Sequence, residues 1–185
     1  MLQLFTERLL IRDHLPDDLQ DYHELVSDEK AMFYLPFLKT MDLESSRNSL
    51  QKIIDDANSN SRKIFMFWVE DIAAKEYIGE AGYHVMMDTA HGKMATIEYF
   101  IKEKFWNNGY TSEAMKRIME FAFTENNVFR FIGQCFRENA GSEAVMKKCG
   151  MVKEGEFQMF ALQGDQLKDS VQYRILKSEW EGGAE

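Results

Sequence analysis

Trp106-Asn107-Asn108-Gly109-Tyr110-Thr111-Ser112-Glu113-Ala114 is the stretch on which the reading of this chain turns. A strand-like run, Thr96–Ile101, ends just before it, and a helical run from Tyr110 to about Thr124 begins inside it. Two Asn and one Gly fill the joint. A strand, a tight polar turn and a helix start leave several backbone N–H groups without intrahelical partners, at the positive end of the helix. Such a joint is an anion cradle suited to a phosphate. The plain alternative is a turn that binds nothing, and the flanking chain has to decide between them.

Upstream, Thr96–Ile101 alternates: Ile97, Tyr99 and Ile101 point one way, Thr96, Glu98 and Phe100 the other. Tyr77–Met87 reads as a strand bent or closely approached at Gly79 and Gly82, with Asp88–Lys93 as a hairpin loop. Ile64–Val69 is continuously apolar and β-favouring, hence a buried central strand. Leu43, Ser46, Arg47, Leu50, Ile53, Ile54 and Ala57 make an amphipathic helix that Asp42 is placed to cap. Met32–Leu38 is aromatic, contains Pro36 and fits neither period; it reads as a loop or broken helix, either packing or forming an apolar wall for a substrate. Pro16-Asp17-Asp18 opens a helix to about Ser27, and Leu9–Arg12 is a short strand.

Downstream, Ala114, Met115, Ile118, Met119, Ala122 and Phe123 form a helical stripe, and Phe129–Phe136 is a strand. Asn139–Lys148 is a short helix with Ala140, Ala144 and Val145 inward, closed by Gly150. Val152–Leu162 and Leu167–Leu176 are strands about a Gly164-Asp165 turn, and the tail Glu181–Glu185 is expected to be disordered. The pattern predicts one α/β (α+β) domain over residues 1–185. Its mixed, mostly antiparallel twisted sheet has about seven strands, with helices on both faces.

The totals remove several classes. A net charge of -9 argues against a nucleic-acid surface, which needs a basic footprint. Cys135 and Cys149 match neither a zinc nor a redox pattern and are expected reduced and buried. His14, His23, His84 and His91 lack metal spacing, so no metal is expected. The N-terminus lacks a signal-peptide core, and the most apolar run is too short to cross a bilayer. A cytoplasmic protein that engages no membrane is expected.

The element order and local sequences resemble the GCN5-related N-acetyltransferase (GNAT) family, and more narrowly its ribosomal-protein (RimJ/RimL-like) branch. The pieces that carry the resemblance are Thr6–Arg12, Tyr77-Ile78-Gly79 with Ala81-Gly82-Tyr83, Ile97-Glu98-Tyr99 and Trp106–Ala114. Phe129–Ile132, Glu138–Ser142, Lys148–Met151, Asp169-Ser170 with Tyr173, and Glu179-Trp180 follow in the same order. The family's acetyl-CoA loop, Gln/Arg-x-x-Gly-x-Gly/Ala, falls on Trp106–Thr111. Asn107 stands where the branch usually has Gly, and Asn tolerates left-handed backbone. Thr111 replaces a small residue and brings a hydroxyl that can donate to a phosphate.

The resemblance implies a GNAT fold and direct transfer of acetyl from acetyl-CoA to an amine, without a cysteine nucleophile. It assigns Trp106, Asn107, Asn108, Gly109, Tyr110, Thr111 and Ser112 to the cofactor, with backbone groups near Phe100 or Ile101 and the side chain of Asn139 beside its pantetheine arm. An amine is mostly protonated at neutral pH, so a base is needed, and Glu98 is the candidate; the plain alternative is a solvated or ion-paired strand residue. The helix position where many members carry a Tyr acid holds Met146, and Ser142 matches the branch's Ser as donor to the departing sulfur. Lys147 and Lys148 are either solvated or near the 3′-phosphate. Phe33, Tyr34, Phe37 and the Phe157–Gly164 region would bound the acceptor, a peptide N-terminus or small cationic amine. A homodimer fits the family. The competing function is a catalytically inactive acyl-CoA-binding or sensing module of the same fold; Glu98 together with Ser142 favours the enzyme.

Overall fold

Phe65–Val69 is buried at every position, and its residues divide between two apolar layers. Phe65, Phe67 and Val69 enter one core, Met66 and Trp68 the other. A strand apolar on both faces has to be covered on both, and that sets the architecture seen in the computed structural model, which describes residues 1–183. The strands are β1 (Gln3–Phe5), β2 (Leu9–Arg12), β3 (Ile64–Asp71), β4 (Glu76–Thr89), β5 (Gly92–Ile101), β6 (Val128–Phe136), β7 (Val152–Gln163) and β8 (Gln166–Leu176). The helices are α1 (Leu19–Ser27), α2 (Leu43–Ala57), α3 (Tyr110–Thr124), α4 (Ala140–Lys148) and α5 (Lys177–Gly182). One sheet runs in the order β1-β2-β3-β4-β5-β6-β8-β7. Among the described residues, only β5 and β6, joined through α3, pair parallel.

On one face α1 and α2 bury Tyr22, Leu25, Val26 and Leu50 against Met66, Trp68, Tyr77 and Phe100. On the other, Met115, Ile118, Met119 and Phe123 of α3 pack on Phe67, Tyr83 and Phe131. Asp42 caps α2 by accepting from the Ser45 amide at 2.8 Å. No helix of the described residues is long and apolar enough to cross a membrane.

The expected mixed sheet of about seven strands is present with eight, the short β1 having too few residues to show a period. Three details depart from the sequence-based expectation. Strand pairing extends through most of Asp88–Lys93, to Thr89↔Gly92, leaving Ala90-His91 as the turn. Glu181 and Gly182 are helical rather than disordered: α5 docks Trp180 on Phe123, ring centroids 5.4 Å apart; Ala184 and Glu185 lie outside the described residues. In α4, Ala140 and Ala144 are exposed and Met146 is the buried residue, since the helix turns Met146 and Cys149 onto the sheet.

β5 and β6 pair only from Lys93↔Val128 to Thr96↔Ile132. Beyond that, β5 stays with β4 as far as Ile101↔Gly79, and β6 stays with β8. Ile97–Ile101 and Gly133–Phe136 therefore diverge. A Cβ on Gly133 would lie 2.6 Å from Met146 Sδ and 2.8 Å from Ile97 Cδ1, so the missing side chain admits both where the strands part.

Gly82 meets a stricter limit, since a Cβ there would lie 2.0 Å from the Phe65 carbonyl oxygen and 2.8 Å from Met66 Cα. Both atoms are backbone of β3 and cannot turn aside. Gly82→Ala is expected to destabilise the fold by about 3 kcal/mol or more. Urea unfolding would show this as a lowered midpoint; an unchanged midpoint would mean that β3 and β4 separate without penalty.

Candidate active site

Where β5 and β6 part there is a cleft of about 1050 Å³, lined by both strands, the Trp106–Ser112 turn, the start of α4 and the Phe33–Phe37 segment. The turn shows why Asn and Gly stand there. Asn107 and Gly109 both have left-handed backbone, φ 62° and 80°, which Asn and Gly adopt most readily. Its carbonyls are tied down. Asn108 Nδ2 donates to the Trp106 oxygen at 3.1 Å, and both terminal nitrogens of Arg8 donate to the Asn108 oxygen at 3.3 Å. Ser112 Oγ and the Glu113 amide reach the Gly109 oxygen at 2.9 and 3.0 Å. A trans peptide sets N–H opposite C=O, so the amides of Asn107, Gly109 and Tyr110 face away from these donors. Among the described residues, none of the amides of Asn107–Thr111 has a protein acceptor. Unpaired amides at the start of α3 make this turn a concave set of donors able to hold an anion such as a phosphate.

Strand β5 contributes through both its faces and its backbone. The Lys102 amide donates to the Ile78 oxygen at 2.9 Å, and no register shift occurs between there and Ala95. Antiparallel alternation then turns the amides of Phe100 and Glu98 into the β4 ladder; on the other edge the Ile97 amide closes the last pair with β6, at Thr96↔Ile132, and those of Tyr99 and Ile101 face the gap. Of the two residues expected to offer backbone groups, Ile101 does so and Phe100 does not; the Phe100 side chain is buried under α1 and α2. Trp106 folds back so that its indole Nε1 donates to the Ile101 oxygen at 3.0 Å.

Glu98 is half-buried on the α1–α2 face of β5, with Oε1 3.4 Å from His84 Nε2. Tyr99 points to the opposite face. Its phenol oxygen lies 2.8 Å from Ser142 Oγ and 3.0 Å from the Ser142 carbonyl oxygen. Burial holds that phenol far above its ordinary pKa, with the Ser142 bond pulling weakly the other way. Asn139 caps α4, accepting from the Ser142 amide at 3.0 Å. Glu98 and Ser142 thus reach the same gap from opposite sides of one strand.

Across the cleft, Phe33 and Tyr34 form a roof. The Tyr34 hydroxyl donates to the Glu138 oxygen at 3.5 Å, and Gln163 Nε2 donates to the Phe33 oxygen at 3.0 Å. Phe37 lies at the outer edge, largely exposed. From the Phe157–Gly164 stretch, Ala161 lines the cleft, while the Phe157 and Phe160 rings meet tilted at 35°, centroids 5.0 Å apart. Lys147 is engaged by Glu143 at 2.9 Å, and Lys148 lines the cleft. His14 is fully buried against Glu80, Nε2 to Oε2 2.7 Å, and His23 bonds Ser46. Sequence reasoning gave no role to Arg8 or to the Tyr99 hydroxyl. Both act across the fold, over separations of 100 and 43 residues, and no local pattern signals them.

Comparison with known proteins places this geometry. Residues 8–152 match the model of the acetyltransferase (GNAT) domain. The uncharacterized N-acetyltransferase YnaD of Bacillus subtilis (strain 168) is 30% identical over 185 residues, 97% of this chain and 99% of its own length. A GNAT-family acetyltransferase from Bacillus anthracis, known as a crystal structure, is 30% identical, with TM-score 0.81 over 96% of this chain and 99% of that one. The ribosomal L7/L12 α-N-protein acetyltransferase RimL, in complex with coenzyme A, shares the fold with TM-score 0.85 at 19% identity, over 95% and 98% of the two chains.

Both cysteines are free; Cys149 is buried as expected, whereas Cys135 is only half-buried, because it stands on β6 where the strand lines the cleft. Burial pushes the Cys135 thiol up to about 11, against a weaker opposing bond from Ser142, and the Cys149 thiol up to about 12. Neither holds appreciable thiolate at neutral pH. Iodoacetamide at neutral pH is expected to alkylate both at least about a hundredfold more slowly in the folded than in the unfolded protein. Intact-mass spectrometry reads the rates; rapid native labelling of Cys135 would contradict the burial argument.

Proposed function

The chain belongs to the GNAT acetyltransferase family, and from that premise we propose that its cleft passes acetyl directly to a primary amine whose proton Glu98 removes. It is an acetyl-CoA-dependent N-acetyltransferase. One observation carries the detailed reading: past Thr96, β5 leaves β6, and the opened gap has free loop amides at its mouth and the Glu98 carboxylate at its side.

Bound acetyl-CoA supplies the acetyl group already activated as a thioester. The residues of the chain then have separable tasks. The amides of Asn107–Thr111 hold the pyrophosphate, aided by the positive end of α3. Trp106 and Ser112 keep the turn in shape through their bonds to Ile101 and Gly109. The amides of Tyr99 and Ile101 face the gap, where they can bond the pantetheine arm and the thioester oxygen as charge gathers on it. Asn139 fixes the start of α4, and Ser142 offers a hydroxyl to the departing sulfur. Glu98 takes the amine proton, because only the neutral amine attacks.

The acceptor reading follows from the roof. Phe33 and Tyr34 are clasped to Gln163 and Glu138, so an amine reaches Glu98 on a slender, flexible chain. A protein N-terminus or a small cationic alkylamine meets that condition, and the exposed Phe37 adds apolar surface beside it. The sequence pieces shared with the RimJ/RimL-like branch favour the N-terminal amine.

Glu98→Gln preserves shape and removes the base. We expect kcat to fall by about 10²–10⁴-fold while coenzyme A affinity stays within about twofold. Thiol release with a panel of N-terminal peptides and alkylamines measures the first, and titration calorimetry the second. A variant as fast as the parent from about pH 6 to pH 9 would remove Glu98 from the role of base.

A further inference from the structure

We infer that Arg8 is the positioning residue of the pyrophosphate loop; the inference rests on the acetyl-CoA reading of Trp106–Thr111. Arg8 sits between β1 and β2, remote in sequence from the loop. Its Nη1 and Nη2 converge on the Asn108 carbonyl oxygen at 3.3 Å each. Its Nε and Nη2 grip the Glu113 carboxylate at 2.8 and 2.5 Å. The guanidinium lies over the Tyr110 ring, 4.4 Å from its centroid, and the Tyr110 hydroxyl is anchored on Asp71 at 2.8 Å. Thr6 Oγ1 donates to the second Glu113 oxygen at 2.5 Å. A planar, five-donor fork stacked on a ring and held by a carboxylate has one orientation.

That orientation decides which way one peptide faces. Asn108 and Gly109 share a planar trans unit, so fixing the carbonyl on Arg8 turns the Gly109 N–H to the opposite side. Gly109, at φ 80°, has no Cβ to resist rotation of that unit. Without the guanidinium the peptide is free to flip and present its oxygen, an acceptor, where an anion has to bind. Arg8 thereby contributes to phosphate binding without touching phosphate. The simpler role, a clamp between the N-terminal strands and α3, predicts something different: a general loosening that affects any ligand of the cleft.

Titration calorimetry with coenzyme A and with pantetheine, which lacks the pyrophosphate, separates the two. Arg8→Ala is expected to weaken coenzyme A by about tenfold and leave pantetheine within about twofold. Arg8→Lys keeps the charge but not the fork, and is expected to hold the parent's melting temperature while remaining several-fold weaker for coenzyme A. Parallel loss of both ligands in Arg8→Ala, or full recovery of coenzyme A by Lys, overturns the inference. Gly109→Val serves as the control on the loop. If it loses coenzyme A selectively while Arg8→Ala binds normally, the loop reading stands and the Arg8 role falls. If neither variant loses coenzyme A, both fall.

Discussion

The parallel ladder between β5 and β6 consists of four register pairs and stops at Thr96↔Ile132. A longer ladder would satisfy more backbone groups and close the cleft. The strands part because Met146 and Ile97 fill the space beside Gly133, where a larger residue would push them out. Backbone groups that lose a strand partner have to find another or face solvent. Trp106 takes the Ile101 carbonyl, and the amides of Tyr99 and Ile101, past the last pair with β6, are left to the cleft. A local loss of pairing thus becomes a pair of donors two residues apart along one strand.

The same strand divides the chemistry. Because side chains alternate along β5, Glu98 and Tyr99 reach opposite faces while remaining adjacent in sequence. Glu98 meets His84 beneath α1 and α2, and Tyr99 meets Ser142 at the start of α4. The Tyr99–Ser142 contact has two proton arrangements. With the phenol proton on the Ser142 carbonyl, the serine proton can point to the phenol oxygen; with the phenol proton on Ser142 Oγ, the serine proton is free to face the cleft. Tyr99 and Ser142 thus form one small hydrogen-bonded set at the start of α4.

Much of this was legible in the sequence where physics is local. The buried strand Ile64–Val69, the α3 stripe, the Asp42 cap and the Gly164-Asp165 turn all follow from period, capping and turn chemistry, and the structure reproduces them. The alternation of Glu98 and Tyr99 was legible for the same reason. What was not legible depends on distance. β1 is a strand only because β2 lies beside it, and α5 is ordered because Trp180 finds Phe123. In α4 the small residues Ala140 and Ala144 looked like core, yet burial went to Met146, since the cleft lies on their side. The tie of Arg8 to Asn108 spans 100 residues and leaves no periodic trace. Whether Phe100 or Ile101 offers its amide depends on strand register, which a single sequence does not reveal.

The two margins of the sheet bear on how copies of the chain meet. β1 is three residues long and gives little edge to extend. β7, at the other margin, has twelve residues and exposes Val152, Phe157, Met159, Phe160 and Leu162; a regular strand of that kind would template another chain. Its pairing with β8 shifts register twice, at Lys153/Gly155 and Phe157/Ala161, and Met159 adopts a left-handed φ of 49°. These breaks interrupt the row of free donors and acceptors, and Lys153, Glu154 and Glu156 add charge along it. Edge-to-edge extension of the sheet is therefore disfavoured at both ends.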